Sequence, residues 1–242
     1  MKIIVTGALG FIGSKLIRDL AMNLKDAEIH MIDNLLTQRY FSLFDLPNKN
    51  KYFFYEKDLI KDDVNNIFLN SDVAIHLAAL TEASSSYFNP KEYETQNYLG
   101  TEKILDLCKI NNVKLIHFSS TSVYGTNKML VDEDSGIEDL KPQSPYAETK
   151  LKEEILVKDY FEKGFVETRT LRLGSICGVS PGMRFHGAIS KFCYQASIGS
   201  PITVWKTALN QKRPFLHIQD AINAIIFVVE KNLFGGGLFN VV

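Results

Sequence analysis

Short apolar runs alternate along this chain with stretches in which apolar positions recur every three or four residues. Ile3, Ile4 and Val5 form a β-branched run suited to a strand buried on both faces, and it ends at Thr6 and a turn carrying Gly7, Gly10 and Gly13. Leu16, Ile17, Leu20, Ala21 and Leu24 then repeat at helical spacing. Further strands are expected at 28–32, 52–55, 73–77, 113–118 and 166–173. Helices are expected from Pro90 to about residue 110 and from Pro145 onward. On the first of these, Tyr93, Asn97, Thr101, Ile104, Leu105 and Cys108 lie on or near one face, so Asn97 and Thr101 stand where apolar side chains are expected. Alternation of strands with helices predicts an α/β fold with a doubly wound parallel sheet.

The turn after the first strand spaces its glycines G-x-x-G-x-x-G, one residue wider than the commonest Rossmann fingerprint. Glycine there permits a turn closed to side chains, close approach of main chain to a pyrophosphate, and tight packing of helix on strand. The helix that follows offers free N–H donors and a positive dipole end. The second strand ends at Asp33, twenty residues after Gly13, where an acidic side chain can meet a ribose 2′-hydroxyl. A carboxylate there repels a 2′-phosphate, which favours NAD over NADP. The fold expected is therefore Rossmann-type.

A length of 242 residues with 45% hydrophobic content suits one substantial core. The net charge of −1, with both signs interspersed, argues against a nucleic-acid or membrane-surface partner. Cys108, Cys177 and Cys193 are widely spaced, which disfavours both disulfides and structural zinc. The opening apolar run is too short for a signal-peptide core, and the run near 224–229 is too short to span a bilayer. A soluble cytoplasmic protein is expected.

Candidate chemistry gathers at two places. Ser119-Ser120-Thr121-Ser122-Val123-Tyr124-Gly125 ends the fifth strand in hydroxyls, and Ser144-Pro145-Tyr146-Ala147-Glu148-Thr149-Lys150 opens a helix. Tyr146 and Lys150 are four apart and project from one face. A neighbouring ammonium stabilises phenolate, drawing the tyrosine pKa down from about 10 towards working pH and making Tyr146 an acid or base. His76 reads as a packed core histidine and His217 as structural, while His186 is left open. The aromatic run 52–55 reads as a core strand rather than a base-stacking platform, and Asp132, Glu133, Asp134 and Glu138 as a solvated acidic loop.

Taken jointly, these motifs resemble the extended short-chain dehydrogenases/reductases, in the nucleotide-sugar epimerase/dehydratase branch that includes UDP-glucose 4-epimerase. The matching runs cover nearly the full chain: Thr6-Gly7-Ala8-Leu9-Gly10-Phe11-Ile12-Gly13, Asp33-Asn34, Asp58-Leu59, His76-Leu77-Ala78-Ala79, Asn97-Tyr98-Leu99-Gly100-Thr101, the two hydroxyl and Tyr/Lys runs above, Leu171-Arg172-Leu173, and Arg213-Pro214-Phe215-Leu216-His217-Ile218-Gln219-Asp220. The resemblance implies an NAD cofactor held by Gly7, Gly10 and Gly13, by Phe11 and Ile12 at the pyrophosphate, Asp33 and Asn34 at the ribose, and Asp58 and Leu59 at the adenine. Leu77, Ala78, Ala79, Thr81 and Leu173 would line the cofactor, with Asn97 bonding main chain beneath it. It implies Ser120, Tyr146 and Lys150 as catalytic residues, Lys150 also bonding the nicotinamide ribose. Thr81, Ser120, Ser175 and Arg213 fall on substrate positions, the arginine where a guanidinium would hold a diphosphate.

Departures from the family pattern narrow the reaction. Dehydratases place an Asp-Glu pair after the catalytic Thr, where this chain has Thr121 and Ser122, and a glutamate expected for decarboxylation is Ser122. Ser175 stands where the family usually keeps Asn, the run 180–186 is unlike the common 4-epimerase sequence, and the run 205–211 lacks the usual glycine-bearing turn. Family members normally continue well beyond the strand that 238–242 resembles, so either the chain is naturally short or a helical part of the lobe lies outside it. The resemblance thus implies a small C-terminal substrate-binding lobe on the Rossmann-type fold, with residues 1–174 as the NAD-binding domain and 175–242 as substrate-lobe segments that return to the Rossmann domain near 213–242. It also implies an NAD-dependent nucleotide-sugar epimerase acting at C4, as a homodimer built on two helices. The alternatives are an NAD(P)H-dependent nucleotide-sugar ketoreductase and a non-catalytic NAD-binding regulatory module.

Overall fold

The structure, a computed structural model, describes residues 1–242 apart from Thr126, Asn127, Met129, His186, Trp205, Thr207, Ala208, Asn210 and Gln211. Strands β1 (Lys2–Thr6), β2 (Glu28–Asp33), β3 (Lys51–Glu56), β4 (Val73–His76), β5 (Lys114–Ser120), β6 (Thr168–Leu173) and β9 (Gly235–Val241) form one parallel sheet in the order β3-β2-β1-β4-β5-β6-β9. The chain moves outward from β1 through β2 to β3, then returns to lay β4 on the other side of β1. That reversal opens a crevice at the carboxyl ends of β1 and β4, the place where such sheets bind ligands.

The two faces of the sheet bury alternate residues of each strand. Ile3 and Val5 pack on the side of helices α1 (Phe11–Asn23) and α8 (Ile218–Glu230), with Leu16, Ile17, Leu20, Ile222 and Ile225 fully buried there. Ile4 packs on the opposite side with Phe68, Ile104, Leu105, Cys108 and Val157. That side is covered by the short α2 (Asn65–Phe68), by α5 (Gly100–Asn111) and by α6 (Pro145–Glu162). Each such side chain contributes about 1.5–3 kcal/mol on full burial.

Between β4 and α5 the chain makes two single turns, α3 (Ala83–Ser86) and α4 (Pro90–Tyr93), then a π-turn over Glu94–Leu99. The helix expected from Pro90 to about residue 110 thus runs from Pro90 to Asn111 without a break in helical backbone, widened to a π-turn over Glu94–Leu99. The reason is Asn97, 1% exposed, whose Nδ2 donates to Leu80 O over 2.9 Å and whose Oδ1 accepts the Leu80 N–H over 2.7 Å. A wide turn lets the amide reach sideways for this clamp, as π-turns at functional sites do.

Beyond β6, β7 (Ser175–Cys177) pairs in parallel with β8 (Phe215–His217), and α7 (Ala188–Ser197) lies between them in sequence. None of these three elements is among those predicted from the hydrophobic pattern above. His217 caps α8, its Nδ1 accepting the Gln219 N–H over 3.3 Å. The acidic loop is exposed at Asp132, Glu133, Asp134 and Glu138 as expected, and two hydrogen bonds anchor it: Glu133 Oε1 accepts the Asn240 N–H of β9, and the Tyr124 hydroxyl donates to Asp132 O over 2.8 Å.

Candidate active site

The turn between β1 and α1 is closed to side chains. Gly7 has φ +63°, and a Cβ there would come within 2.7 Å of Ala78 backbone; one on Gly13 would meet Gly7 O at 2.4 Å. The Gly7 N–H donates to Ile32 O over 2.8 Å and the Gly10 N–H to Gly7 O over 3.1 Å. Helix α1 then opens at Phe11 with Gly10 as its N-cap, which has no side chain to satisfy the first-turn N–H groups. Bare N–H donors at a dipole's positive end beside a cradle that a Cβ would fill fit the pyrophosphate of a dinucleotide.

Asp33, at the end of β2, fixes this cradle from the side: Oδ2 accepts the Leu9 N–H and Oδ1 the Leu35 N–H, each over 3.0 Å. Asn34 Nδ2 donates to Asp58 Oδ2 over 3.2 Å, and Asp58 Oδ1 accepts the N–H groups of Ile60 and Lys61. Burial pushes the Asp58 carboxyl up, but these donors outweigh it and hold it below the ordinary range. A cavity of about 330 Å³ opens here, lined by Asn34, Leu36, Glu56, Lys57, Asp58 and Lys61 among others. Of the residues expected at the adenosine, Asn34 and Asp58 line it. Across the crevice, Leu77 N–H donates to Thr6 O and Ala78 N–H to Thr6 Oγ1, so the small residues after β4 run beside Gly7. Leu77, Ala78, Ala79 and Thr81 are half-buried along this edge, Leu59 is half-buried beyond β3, and Leu173 closes β6 in the core.

Ser120, Tyr146 and Lys150 come together on the far side of the crevice. Ser144 caps α6 by accepting the Ala147 N–H over 3.2 Å, with Pro145 at the first position, so α6 starts one residue before Tyr146. The Tyr146 N–H donates to Ser86 Oγ over 3.2 Å, and its ring stands edge-on to Tyr93 at 6.4 Å. Its hydroxyl meets that of Ser120 at the end of β5. Burial raises the Tyr146 pKa; the Lys150 charge and the Ser120 hydrogen bond offset this only in part, and Glu153 adds to the rise. The sequence-based expectation of a net downward shift is corrected accordingly: the lysine acts in the expected direction, but desolvation of a phenolate outweighs it.

Lys150 is 6% exposed and its Nζ donates to Glu153 Oε2 over 2.8 Å. Burial is the largest single influence and favours the neutral amine, but Glu153, joined by Tyr146 and Glu154, outweighs it and raises the pKa above the ordinary lysine value. His76, read as a core histidine, is 4% exposed between Thr6 and Thr101, and burial drives its pKa down to about 3. The Ser175 N–H donates to Pro214 O over 2.9 Å, which sets Ser175 beside the Arg213 stretch; both side chains are exposed.

Sequence reasoning passed over three features. Ser14 and the run 180–182 hold the glycine turn from outside: Ser180 Oγ donates to Phe11 O and the Gly182 N–H to Ser14 Oγ, both over 2.8 Å. Glu153, next to Glu154, reads as surface charge until its burial is seen. No spacing rule marks any of them. His186, Trp205 and Gln211 lie outside the described residues, so the readings on them find no structural counterpart. Among the described residues no cluster of His, Cys, Asp or Glu is arranged for a metal, and no helix is long and apolar enough to cross a membrane.

A parallel sheet that reverses its order beside a glycine turn, with Ser, Tyr and Lys gathered at the end of the neighbouring strand, defines a dinucleotide-binding Rossmann protein. The chain belongs to the NAD dependent epimerase/dehydratase family, whose description matches residues 3–241. It is similar to the uncharacterized UDP-glucose epimerase YtcB of Bacillus subtilis, 32% identical over 254 residues that span all of this chain and 76% of that one. A trifunctional UDP-glucose 4,6-dehydratase/UDP-4-keto-6-deoxy-D-glucose 3,5-epimerase/UDP-4-keto-L-rhamnose-reductase of Arabidopsis thaliana is 31% identical over 97% of this chain and 36% of its own length. Among solved structures, UDP-glucuronic acid 4-epimerase from Bacillus cereus in complex with UDP-glucuronic acid and NAD matches with a TM-score of 0.89 and 31% identity. That match covers 100% of this chain and 77% of the other.

Proposed function

We propose that this protein epimerises a nucleotide-diphosphate sugar at C4, with NAD as cofactor, through transient oxidation to a keto-sugar. The observation that carries the reading is the meeting of Ser120, Tyr146 and Lys150 across the crevice from the Gly7 turn. Bound NAD supplies a reversible hydride acceptor at the sugar carbon. Gly7, Gly10, Gly13, Phe11 and Ile12 would hold its pyrophosphate, Asp33 and Asn34 the ribose, and Asp58 and Leu59 the adenine. Leu77, Ala78, Ala79, Thr81 and Leu173 would line its path, with Asn97 fixing the wall through Leu80.

Tyr146 Oη takes the proton of the sugar hydroxyl and later returns it. The Ser120 hydroxyl donates to the sugar oxygen as charge develops there. Lys150 stabilises the phenolate by its charge. Thr81, Ser175 and Arg213 are the candidate substrate contacts, and residues 175–212 the segments of the substrate lobe. Thr121 and Ser122 offer no carboxylates for removal of water, which favours epimerisation over dehydration. Leu99 and Ile155, exposed apolar residues on the π-turn and α6, support a homodimer joined through these helices. Three free thiols support a reducing, cytoplasmic setting.

The test is incubation with NAD and a panel of UDP-, GDP-, CDP- and dTDP-sugars in deuterated water, read by proton NMR. One sugar should convert to its C4 epimer without net NADH and with its C–H hydrogen retained. Tyr146→Phe should slow this by about 10²–10⁴-fold. Net formation of NADH in step with an oxidised sugar would point to a ketoreductase running in reverse, and tight NAD binding without any turnover to a regulatory module.

A further inference from the structure

Behind Tyr146 and Lys150 the interior holds a line of polar side chains running through the core. Thr6 Oγ1 lies 2.7 Å from His76 Nδ1, His76 Nε2 lies 3.2 Å from Thr101 Oγ1, and Thr101 donates to Glu153 Oε2 over 3.1 Å. The same carboxylate oxygen meets His117 Nε2 at 3.0 Å and Lys150 Nζ at 2.8 Å. Thr6, Thr101, His117 and Glu153 are all at 0% exposure. A carboxylate in such a place is expensive unless paired and hydrogen-bonded, and an ammonium there is expensive without a counter-charge.

We propose that Glu153 is the positioning residue of this site: its carboxylate keeps the Lys150 ammonium charged and fixed behind Tyr146, while Thr101 and His117 hold the carboxylate in place. The proposal rests on the reading of Ser120, Tyr146 and Lys150 given above and extends it by one residue. Lys150 is the group whose charge favours the Tyr146 phenolate, and burial alone works towards its neutral amine. The groups facing Glu153 are Lys150 and Tyr146 from α6, His117 from β5, His76 from β4 and the uncharged Thr101 from α5. The Glu153 carboxyl is held low, to about 2, because Lys150 and His117 outweigh the effect of burial. Oε1 of Glu153 and Nδ1 of His117 are buried without hydrogen-bond partners, so the whole arrangement is bound through the single oxygen Oε2. That is the geometry of a charge anchor aimed at Lys150, bought at the cost of one idle oxygen.

The test is a pH titration of the Lys150 Cε resonance in ¹³C-lysine-labelled protein, assigned by its loss in Lys150→Arg. In Glu153→Gln, which keeps size and shape, Lys150 should lose its proton at a pH lower by about one to three units, the shift an opposite charge at this distance produces. Glu153→Asp restores the charge on a shorter stem, and its titration should fall between the two. The shifted titration should be accompanied by a lower kcat with little change in KM for the nucleotide sugar, and by loss of activity at a lower alkaline pH. An unmoved Lys150 titration in folded Glu153→Gln overturns the proposal; if Glu153→Gln does not fold, Glu153→Met, uncharged and of similar length, is read in its place by the same criterion. Because the titration needs no substrate, absence of epimerase turnover would sink the proposed reaction and leave this result standing.

Discussion

The Gly182 N–H donates to the Ser14 hydroxyl over 2.8 Å, joining the segment after β7 to the first turns of α1 across 168 residues of sequence. Gly182 is buried, and a Cβ on it would lie 2.4 Å from Gly10 O and 2.5 Å from Leu9 O. The segment can approach the glycine turn this closely only because position 182 has no side chain. Gly182→Ala should therefore push the segment off the turn, costing about 1–3 kcal/mol as overpacking does. Calorimetry should record weaker NAD binding together with a lower Tm, whereas Gly164→Ala, where a Cβ meets nothing but a φ of +68° strains the backbone, should lower Tm and leave NAD binding unchanged.

Arg172 on β6 and Glu154 on α6 form a buried bidentate pair, at 2.8 and 2.6 Å, and the Arg172 guanidinium also donates to the Tyr124 hydroxyl over 2.6 Å. Removing one partner strands the other charge. Arg172→Met should lower unfolding free energy by about 3–5 kcal/mol in urea denaturation. Adding Glu154→Leu should recover part of that loss, because the stranded carboxylate is then gone.

Acid should weaken the fold through groups already identified. His76 has a folded pKa of about 3 against 6.5 unfolded, so the unfolded chain binds more protons between these values and stability falls as pH drops from 6.5. Glu153, at about 2 against 4.5, adds a second loss as pH falls from 4.5. Each group can contribute a slope of at most about 1.4 kcal/mol per pH unit. Urea midpoints measured from pH 7 down to 3 should fall throughout, and His76→Gln should flatten the part above pH 4.5.

Tyr146 in the cofactor-free protein should form phenolate above the ordinary tyrosine range, since burial dominates its environment. Ultraviolet difference titration against Tyr146→Phe isolates its signal. Lys150→Met should move that signal further up by removing the charge that favours phenolate, and should abolish turnover. A downward movement would contradict the arrangement described here.

Strands β1 to β6 and helices α1, α5 and α6 were readable from the sequence because each obeys a local rule, whereas β7, α7, β8 and α8 were not. A β-branched run makes β1, apolar residues three and four apart make α1, and Ser144 with Pro145 starts α6. The glycine turn, Asp33 and the Tyr146–Lys150 spacing were legible for the same reason: each relation spans only a few residues or one strand–helix unit. Tertiary structure alone decided what depends on distant neighbours. It turned the polar pair Asn97 and Thr101 from an anomaly on a helix face into a clamp on Leu80 and a link to Glu153. It placed 180–182 against the glycine turn, and it raised the Tyr146 pKa that local reasoning had drawn downward. Periodicity reports which side of an element is buried, whereas desolvation and hydrogen-bond partners depend on what the rest of the chain brings to that side.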